Sequence, residues 1–181
     1  EVTGKVRLGF VPEDAGELSI HSSMPLSLIL RGLNKFSNNF VAEQILKTIG
    51  ANIYGPPGTT LNGLRAMDEY MQSLKYKPEE FSILDGSGLS RQNRLSPDQI
   101  VSVLKDMYAD LGVYPEFISA LGVMGRDGNV LKRMNGHNSA ERARVKTGTL
   151  NSVSALSGYF QSAGGERFAF SMLMNDLKCS N

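Results

Sequence analysis

The stretch Phe168-Ala169-Phe170-Ser171-Met172-Leu173-Met174 is apolar at nearly every position. A strand with one wet face alternates apolar and polar residues; this one does not, so it calls for cover on both faces and a neighbour on each side. Three strands are predicted at this end of the chain, over 142–148, 152–161 and 166–175. The short polar turns at Leu150-Asn151 and Ala163-Gly164-Gly165 make an antiparallel meander their natural topology. Either an opening hairpin pairs beside the last strand or its partner lies outside this chain.

The first of the three strands is chemically unusual. Arg142, Arg144 and Lys146 alternate with Ala143, Val145 and Thr147, and Gly148 follows. A strand lined with cations, with a glycine that lets another backbone come close, suits an extended peptide ending in a carboxylate. The bland alternative is a basic edge strand, since Lys-Thr-Gly occurs by chance in many proteins.

Further upstream, Val6, Leu8 and Phe10 alternate with polar residues, as do Leu18 and Ile20, which predicts a hairpin. Pro25 opens a helix carrying Leu26, Ile29, Leu30 and Leu33, with Ser23 as its cap and its end near Lys35-Phe36. Ser37-Asn38-Asn39 leads into a second helix that ends at Gly50, and helix capping alone would explain that polar junction. After a Pro/Gly-rich loop, Leu61, Leu64, Met67, Tyr70, Met71 and Leu74 mark a long amphipathic helix. The Asp85-Gly86-Ser87-Gly88-Leu89-Ser90-Arg91 loop reads as a tight turn or an anion-binding nest. Ser96-Pro97-Asp98-Gln99 is a capping box starting another helix, and a short one is expected over 115–121.

Composition narrows the function. With 41% hydrophobic and 20% charged residues, 181 residues make one domain or a substantial piece of one. A net charge of +1 gives no footprint for nucleic acid, although cations concentrate between Arg126 and Lys146. No stretch approaches the roughly 18 to 20 apolar residues needed to cross a bilayer. The start of the chain lacks a signal-peptide pattern, so export implies a leader already removed. Cys179 is alone, which excludes an internal disulfide, and neither His21 nor His137 has neighbours at metal-ligand spacing. No metal or cofactor is expected.

The ordered pair Ser37-x-Asn39 and Lys146-Thr147-Gly148 resembles the second and third motifs of the penicillin-recognising serine enzymes. The context narrows this. The segments 34–43, 85–91 and 142–150, continuing through Gly158-Tyr159, resemble the D-alanyl-D-alanine carboxypeptidase/endopeptidase family of low-molecular-mass class C penicillin-binding proteins. The resemblance implies an α+β fold, part of a β-lactamase/penicillin-binding transpeptidase-like architecture in which helices flank an antiparallel sheet. Residues 1–22 would be the end of an inserted β-rich domain, and 23–181 the C-terminal part of the peptidase domain.

The family's nucleophile motif, Ser-x-x-Lys, should precede Ser37, and nothing suitable does. Ser102-Val103-Leu104-Lys105 fits the pattern, but it lies between the other two motifs on a helix where Leu104 belongs to the core face, so it is set aside. The chain therefore resembles a C-terminal part whose partner is the missing N-terminal segment, with a closing helix expected after Asn175.

The resemblance also assigns roles. Lys146 would bring positive charge to the substrate carboxylate, aided by the hydroxyls of Thr147 and Thr149. Gly148 would leave room for the incoming backbone, and the Thr149 N–H would be one oxyanion donor. Ser37 would relay a proton to the departing amine, Asn39 would hold the substrate amide, and Leu150 would face the stem peptide. The implied substrate is a peptidoglycan stem peptide ending in D-Ala-D-Ala, the implied inhibitors are β-lactam antibiotics, and the implied location is the periplasm or outer face of the envelope. This chain alone would be inactive. The alternatives are a β-lactamase and a non-catalytic module binding peptidoglycan peptides.

Overall fold

The alternation and turns at the end of the chain produce the predicted meander. A computed structural model describes residues 3–5, 8–134, 136–137 and 139–178; Cys179 lies outside them. Strands β2 (Ala143–Leu150), β3 (Val153–Gln161) and β4 (Arg167–Met174) pair antiparallel in sequence order, with Lys146 opposite Ser157 and Ser157 opposite Ser171. A strand absent from the sequence reading, β1 (Gly122–Val123), pairs with β2 at Val145 and Arg144, giving the order β1-β2-β3-β4.

Five α-helices accompany this sheet among the described residues: α1 (Leu26–Phe36), α2 (Asn39–Tyr54), α3 (Thr60–Ser73), α4 (Pro97–Ala109) and α5 (Tyr114–Ala120). The capping box of α4 forms as read. Ser96 Oγ accepts the Gln99 N–H at 3.2 Å, and Gln99 Oε1 accepts the Ser96 N–H at 2.8 Å. Gln99 is buried, and its amide nitrogen donates to Glu80 O at 3.0 Å, so the cap also ties α4 to the preceding segment.

The two faces of the sheet have different fates. Paired residues share a face, so Arg144, Lys146, Gly148 and Leu150 lie with Ser157 and Tyr159. On that side Tyr159, Leu104 and Leu121 form a core cluster with Ile100, Tyr114, Phe117, Ile118 and Ala169 from α4, α5 and β4. The opposite side buries Val145 beside Met124, Val130 and Ala140 only where β1 and its following turn cover it. Farther along, Phe160, Phe168, Met172 and Met174 on this second side remain 40–51% exposed. The cover expected on both faces of the last strand is thus present on one, and β4 is a sheet edge among the described residues.

Three local expectations are corrected. The opening hairpin is not formed: the described residues from Thr3 to Pro25 hold no strand, and Leu8, Phe10 and Leu18 are fully exposed; Val6 lies outside the described residues. Two strands with no third strand or helix to bury their apolar face are marginal in water. Ser23 does not cap α1; its hydroxyl donates to Met24 O, and Pro25 occupies the cap position without a side-chain bond. Gly50 does not end the second helix, which continues to Tyr54 before Gly55 caps it. Gly50 is instead a contact point, where an added Cβ would lie 2.6 Å from the Gly63 nitrogen of α3.

Candidate functional site

The polar junction between α1 and α2 divides its work between two residues. Asn38 is the N-cap of α2, and its Oδ1 accepts the Val41 N–H at 3.1 Å. Ser37 is the C-cap of α1 in the left-handed conformation, φ 55° and ψ 54°, a geometry that costs a non-glycine residue roughly 1–2 kcal/mol. Capping therefore accounts for Asn38 and leaves the Ser37 hydroxyl available. Lys146 Nζ donates to that hydroxyl at 2.5 Å, across 109 residues of sequence, and to its neighbour Thr147 O at 2.6 Å.

Lys146 is half-buried, and burial lowers its pKa below the ordinary lysine value. No carboxylate pairs with it among the described residues. Its charge is thus available to a ligand, and a carboxylate arriving there would relieve the desolvation that the ammonium bears alone.

Beside Lys146 the sheet has an open edge. Strand β1 accompanies β2 only as far as Val145, and the Met124 N–H donates to Ala143 O on that side at 3.1 Å. Alternation along an antiparallel strand turns the N–H and C=O of Thr147 and Thr149 to the same side, beyond the end of β1. An extended peptide can add there as a strand, with Lys146 beside it. The hydroxyls of Thr147 and Thr149 make no hydrogen bond to Ser37 or Lys146 among those described, so these residues reach the site through their backbones. Asn39 is the exposed first residue of α2 and likewise bonds neither Ser37 nor Lys146.

Leu150, at the far end of β2, lines a groove of about 610 Å³ with Val153, Leu173 and Ile100, where Arg91 and Arg94 stand against the single carboxylate of Glu80. One wall comes from the glycine-rich loop. The nest expected in this loop exists, but the protein fills it: Gly86 and Ser87 N–H groups both donate to Glu43 Oε1 at 2.9 Å, and Gly88 and Ser90 N–H groups donate to the two Asp85 oxygens at 2.6 Å. Its anions are side chains of this chain, and the loop is thereby fastened to α2.

A third segment reaches the junction. Lys35, on the last turn of α1, is only 7% exposed and forms an ion pair with Asp127, whose other oxygen accepts the Val123 N–H at 2.8 Å. Burial pushes the Asp127 carboxyl up. The hydrogen bonds from Lys35 and Val123 and the charges of Lys35 and Arg31 outweigh this and leave it below the usual carboxylate range. Gly128, at φ +58°, lies against Lys35 O, and Asn129 Nδ2 stands 3.5 Å from Ser37 Oγ.

Sequence reasoning singled out Ser37 and Lys146, which the structure brings into contact, and did not single out Lys35, Asp127, Asn129 and Glu43. The only signal for the first two was an unpaired cation at a helix end and an Asp-Gly turn, and neither indicates a partner 92 residues away. In the Ser102–Lys105 pair that was set aside, Ser102 Oγ shares a 2.7 Å hydrogen bond with Tyr76, and Lys105 is exposed. No cluster that could hold a metal ion occurs among the described residues, and His21 and His137 are exposed.

The model of the D-Ala-D-Ala carboxypeptidase 3 (S13) family matches residues 1–181. The chain is 38% identical over 185 residues to a D-alanyl-D-alanine carboxypeptidase of an Actinomadura species, covering 96% of this chain and 33% of that protein. Among solved structures it resembles penicillin-binding protein 4 of Haemophilus influenzae complexed with a β-lactam, with TM-score 0.87 and 28% identity over all of this chain and 42% of that one. The TLA-3 extended-spectrum β-lactamase superposes with TM-score 0.63 at 16% identity over 87% of this chain and 58% of its own, a likeness of fold alone. The chain spans about a third of the length of the curated relatives it matches. The fold is thus α+β, of the kind shared by β-lactamases and penicillin-binding peptidases.

Proposed function

The chain belongs to the D-Ala-D-Ala carboxypeptidase 3 (S13) family, and from that premise we propose that the whole protein is a serine-type D-Ala-D-Ala carboxypeptidase acting on peptidoglycan stem peptides. The observation that carries the reading is the 2.5 Å hydrogen bond from Lys146 to Ser37, made beside an open strand edge. The nucleophilic serine belongs to a part of the protein outside these 181 residues, so this chain alone is inactive. Residues 1–22 are the end of an inserted domain, and the site faces the periplasm or the outer side of the envelope.

The stem peptide lies along the edge of β2, with its terminal carboxylate at Lys146. Its body extends past Gly148 towards Leu150, where Arg91 and Arg94 add positive charge to the groove. The serine oxygen attacks the carbonyl between the two D-alanines as its proton passes to the lysine of its own Ser-x-x-Lys motif and on to Ser37, and the Thr149 N–H supports the oxyanion. When the carbon–nitrogen bond breaks, Ser37 passes a proton to the departing amine, drawing on its contact with Lys146. Asn39 holds the substrate amide through a side chain that both donates and accepts. Water then releases the acyl group and restores the serine. A β-lactam enters the same site and stops at the acyl-enzyme.

The test is intact mass of the full-length protein after incubation with a penicillin. A single stable adduct on a serine outside this chain is expected, and Lys146→Ala and Ser37→Ala should each slow its formation roughly 100-fold or more, the scale on which a misplaced or missing positioning group acts. Unchanged acylation in both variants removes these residues from the proposed roles. Rapid turnover of the antibiotic would favour a β-lactamase, and an adduct at Ser102 would overturn the assignment of the nucleophile.

A further inference from the structure

Ser37 and Lys146 belong to elements that no peptide continuity or sheet pairing joins directly. Ser37 terminates α1, whereas Lys146 is inside β2. The left-handed cap at Ser37 is closed locally, by hydrogen bonds from its own N–H and that of Asn38 to Leu33 O, and these bonds do not set its distance from Lys146. The structure contains a closed circuit of contacts that links them. From Lys146 it runs one residue back to Val145, across the pairing to Gly122 of β1, and on through Val123, whose N–H is held by Asp127. Asp127 binds Lys35, and Lys35 stands two residues before Ser37, which closes the circuit at Lys146 Nζ.

We propose that Lys35 and Asp127 are positioning residues for Ser37, fixing the end of α1 against the turn after β1 so that the Ser37 hydroxyl meets Lys146. Three features separate this pair from an ordinary surface ion pair. The Lys35 side chain is 7% exposed, whereas Arg126 and Glu141, paired one residue away, are 67% and 64% exposed. Asp127 spends its second oxygen on the strand that pairs with β2, so both ends of the contact are tied to the site. The backbone also seats the turn: at Gly128 an added Cβ would lie 2.6 Å from Lys35 O, and φ is +58°. Only glycine allows that approach without strain. The next residue, Asn129, then presents its amide to Ser37.

The inference rests on Ser37 and Lys146 acting as proposed above, and the experiment separates the two failures. In the full-length protein, stopped-flow acylation by a chromogenic β-lactam resolves the pre-acylation dissociation constant from the acylation rate constant. Measurements are made at a temperature where circular dichroism shows each variant folded. Lys35→Met and Asp127→Asn should each lower the acylation rate constant roughly 10- to 100-fold, with the dissociation constant within about threefold, because misplacing a group by about 1 Å can cost that much. The double variant should lose no more than the worse single one, since the pair acts as a unit. Gly128→Ala should give the same defect without changing any charge, while Arg126→Ala should leave the rate unchanged.

A pair that only stabilises the fold would leave the rate constant of folded protein untouched. Wild-type rate constants in folded Asp127→Asn and Gly128→Ala therefore overturn the proposal, as does a defect confined to the dissociation constant. If Lys35→Met does not fold, those two variants decide. If Ser37→Ala and Lys146→Ala acylate normally, the catalytic reading has failed, and the positioning role fails with it.

Discussion

Lys146 carries an ammonium into a half-buried site where its described partners are a hydroxyl and a carbonyl oxygen. Neither neutralises it, and desolvation lowers its pKa. As pH rises, Lys146 should lose its proton before an ordinary lysine does, so carboxylate binding should weaken earlier on the alkaline side. Reductive ¹³C-methylation of this chain, followed by an NMR titration, should show Lys146 titrating below the ordinary lysine value. A value at or above the ordinary one would mean that water reaches the ammonium freely. At this scale the sequence was informative where chemistry is local: a cation, a hydroxyl and a glycine in one strand pointed to a carboxylate site, and Ser37 was the residue singled out before it. Lys35 was unreadable because its meaning depends on Asp127, and a lysine closing a helix is ordinarily a solvated dipole partner.

Helices α2 and α3 show how one residue type can mislead at the scale of elements. A glycine after an apolar helical run is a common stop signal, so Gly50 was read as the end of α2. In the structure the helix runs through it, because the two helices approach too closely for any side chain there. Added Cβ atoms at Gly50 and Gly63 would collide with Gly63 N and Leu46 O. For Gly63→Ala, the added Cβ would lie 2.3 Å from Leu46 O, which places the overpacking cost towards the upper part of about 1–3 kcal/mol, above the gain of about 1 kcal/mol in helix propensity. Gly32→Ala on α1 meets nothing within 4 Å, so the propensity gain stands alone there. Urea unfolding should therefore give a lower midpoint for Gly63→Ala and an equal or higher one for Gly32→Ala. The same sign for both would show that propensity, not the crossing, decides. The α4 cap was legible in full because every group in it lies within four residues of sequence.

At the largest scale, the described residues form a sheet covered by helices on one face and left open over much of the other. Phe160 and Phe168 stack with ring centroids 5.0 Å apart, yet both are at least 40% exposed, as are Met172 and Met174. An apolar surface of this kind marks a contact site or an aggregation hazard. This chain in isolation should bind a hydrophobic dye such as anilinonaphthalene sulfonate strongly, and the paired change Phe168→Ser/Met172→Ser should reduce the fluorescence several-fold. No reduction would place the dye elsewhere. Read alone, the sequence determined the meander, the cap of α4 and the family, because periodicity, capping and ordered motifs are written in neighbouring residues. Tertiary structure alone decided which sheet face is covered, that α2 passes through Gly50, that the nest is filled by Glu43 and Asp85, and that Lys35 meets Asp127. The physical reason is range: hydrogen bonds form only within about 3 Å, and only the folded chain brings groups as far apart in sequence as Ser37 and Lys146 within that reach.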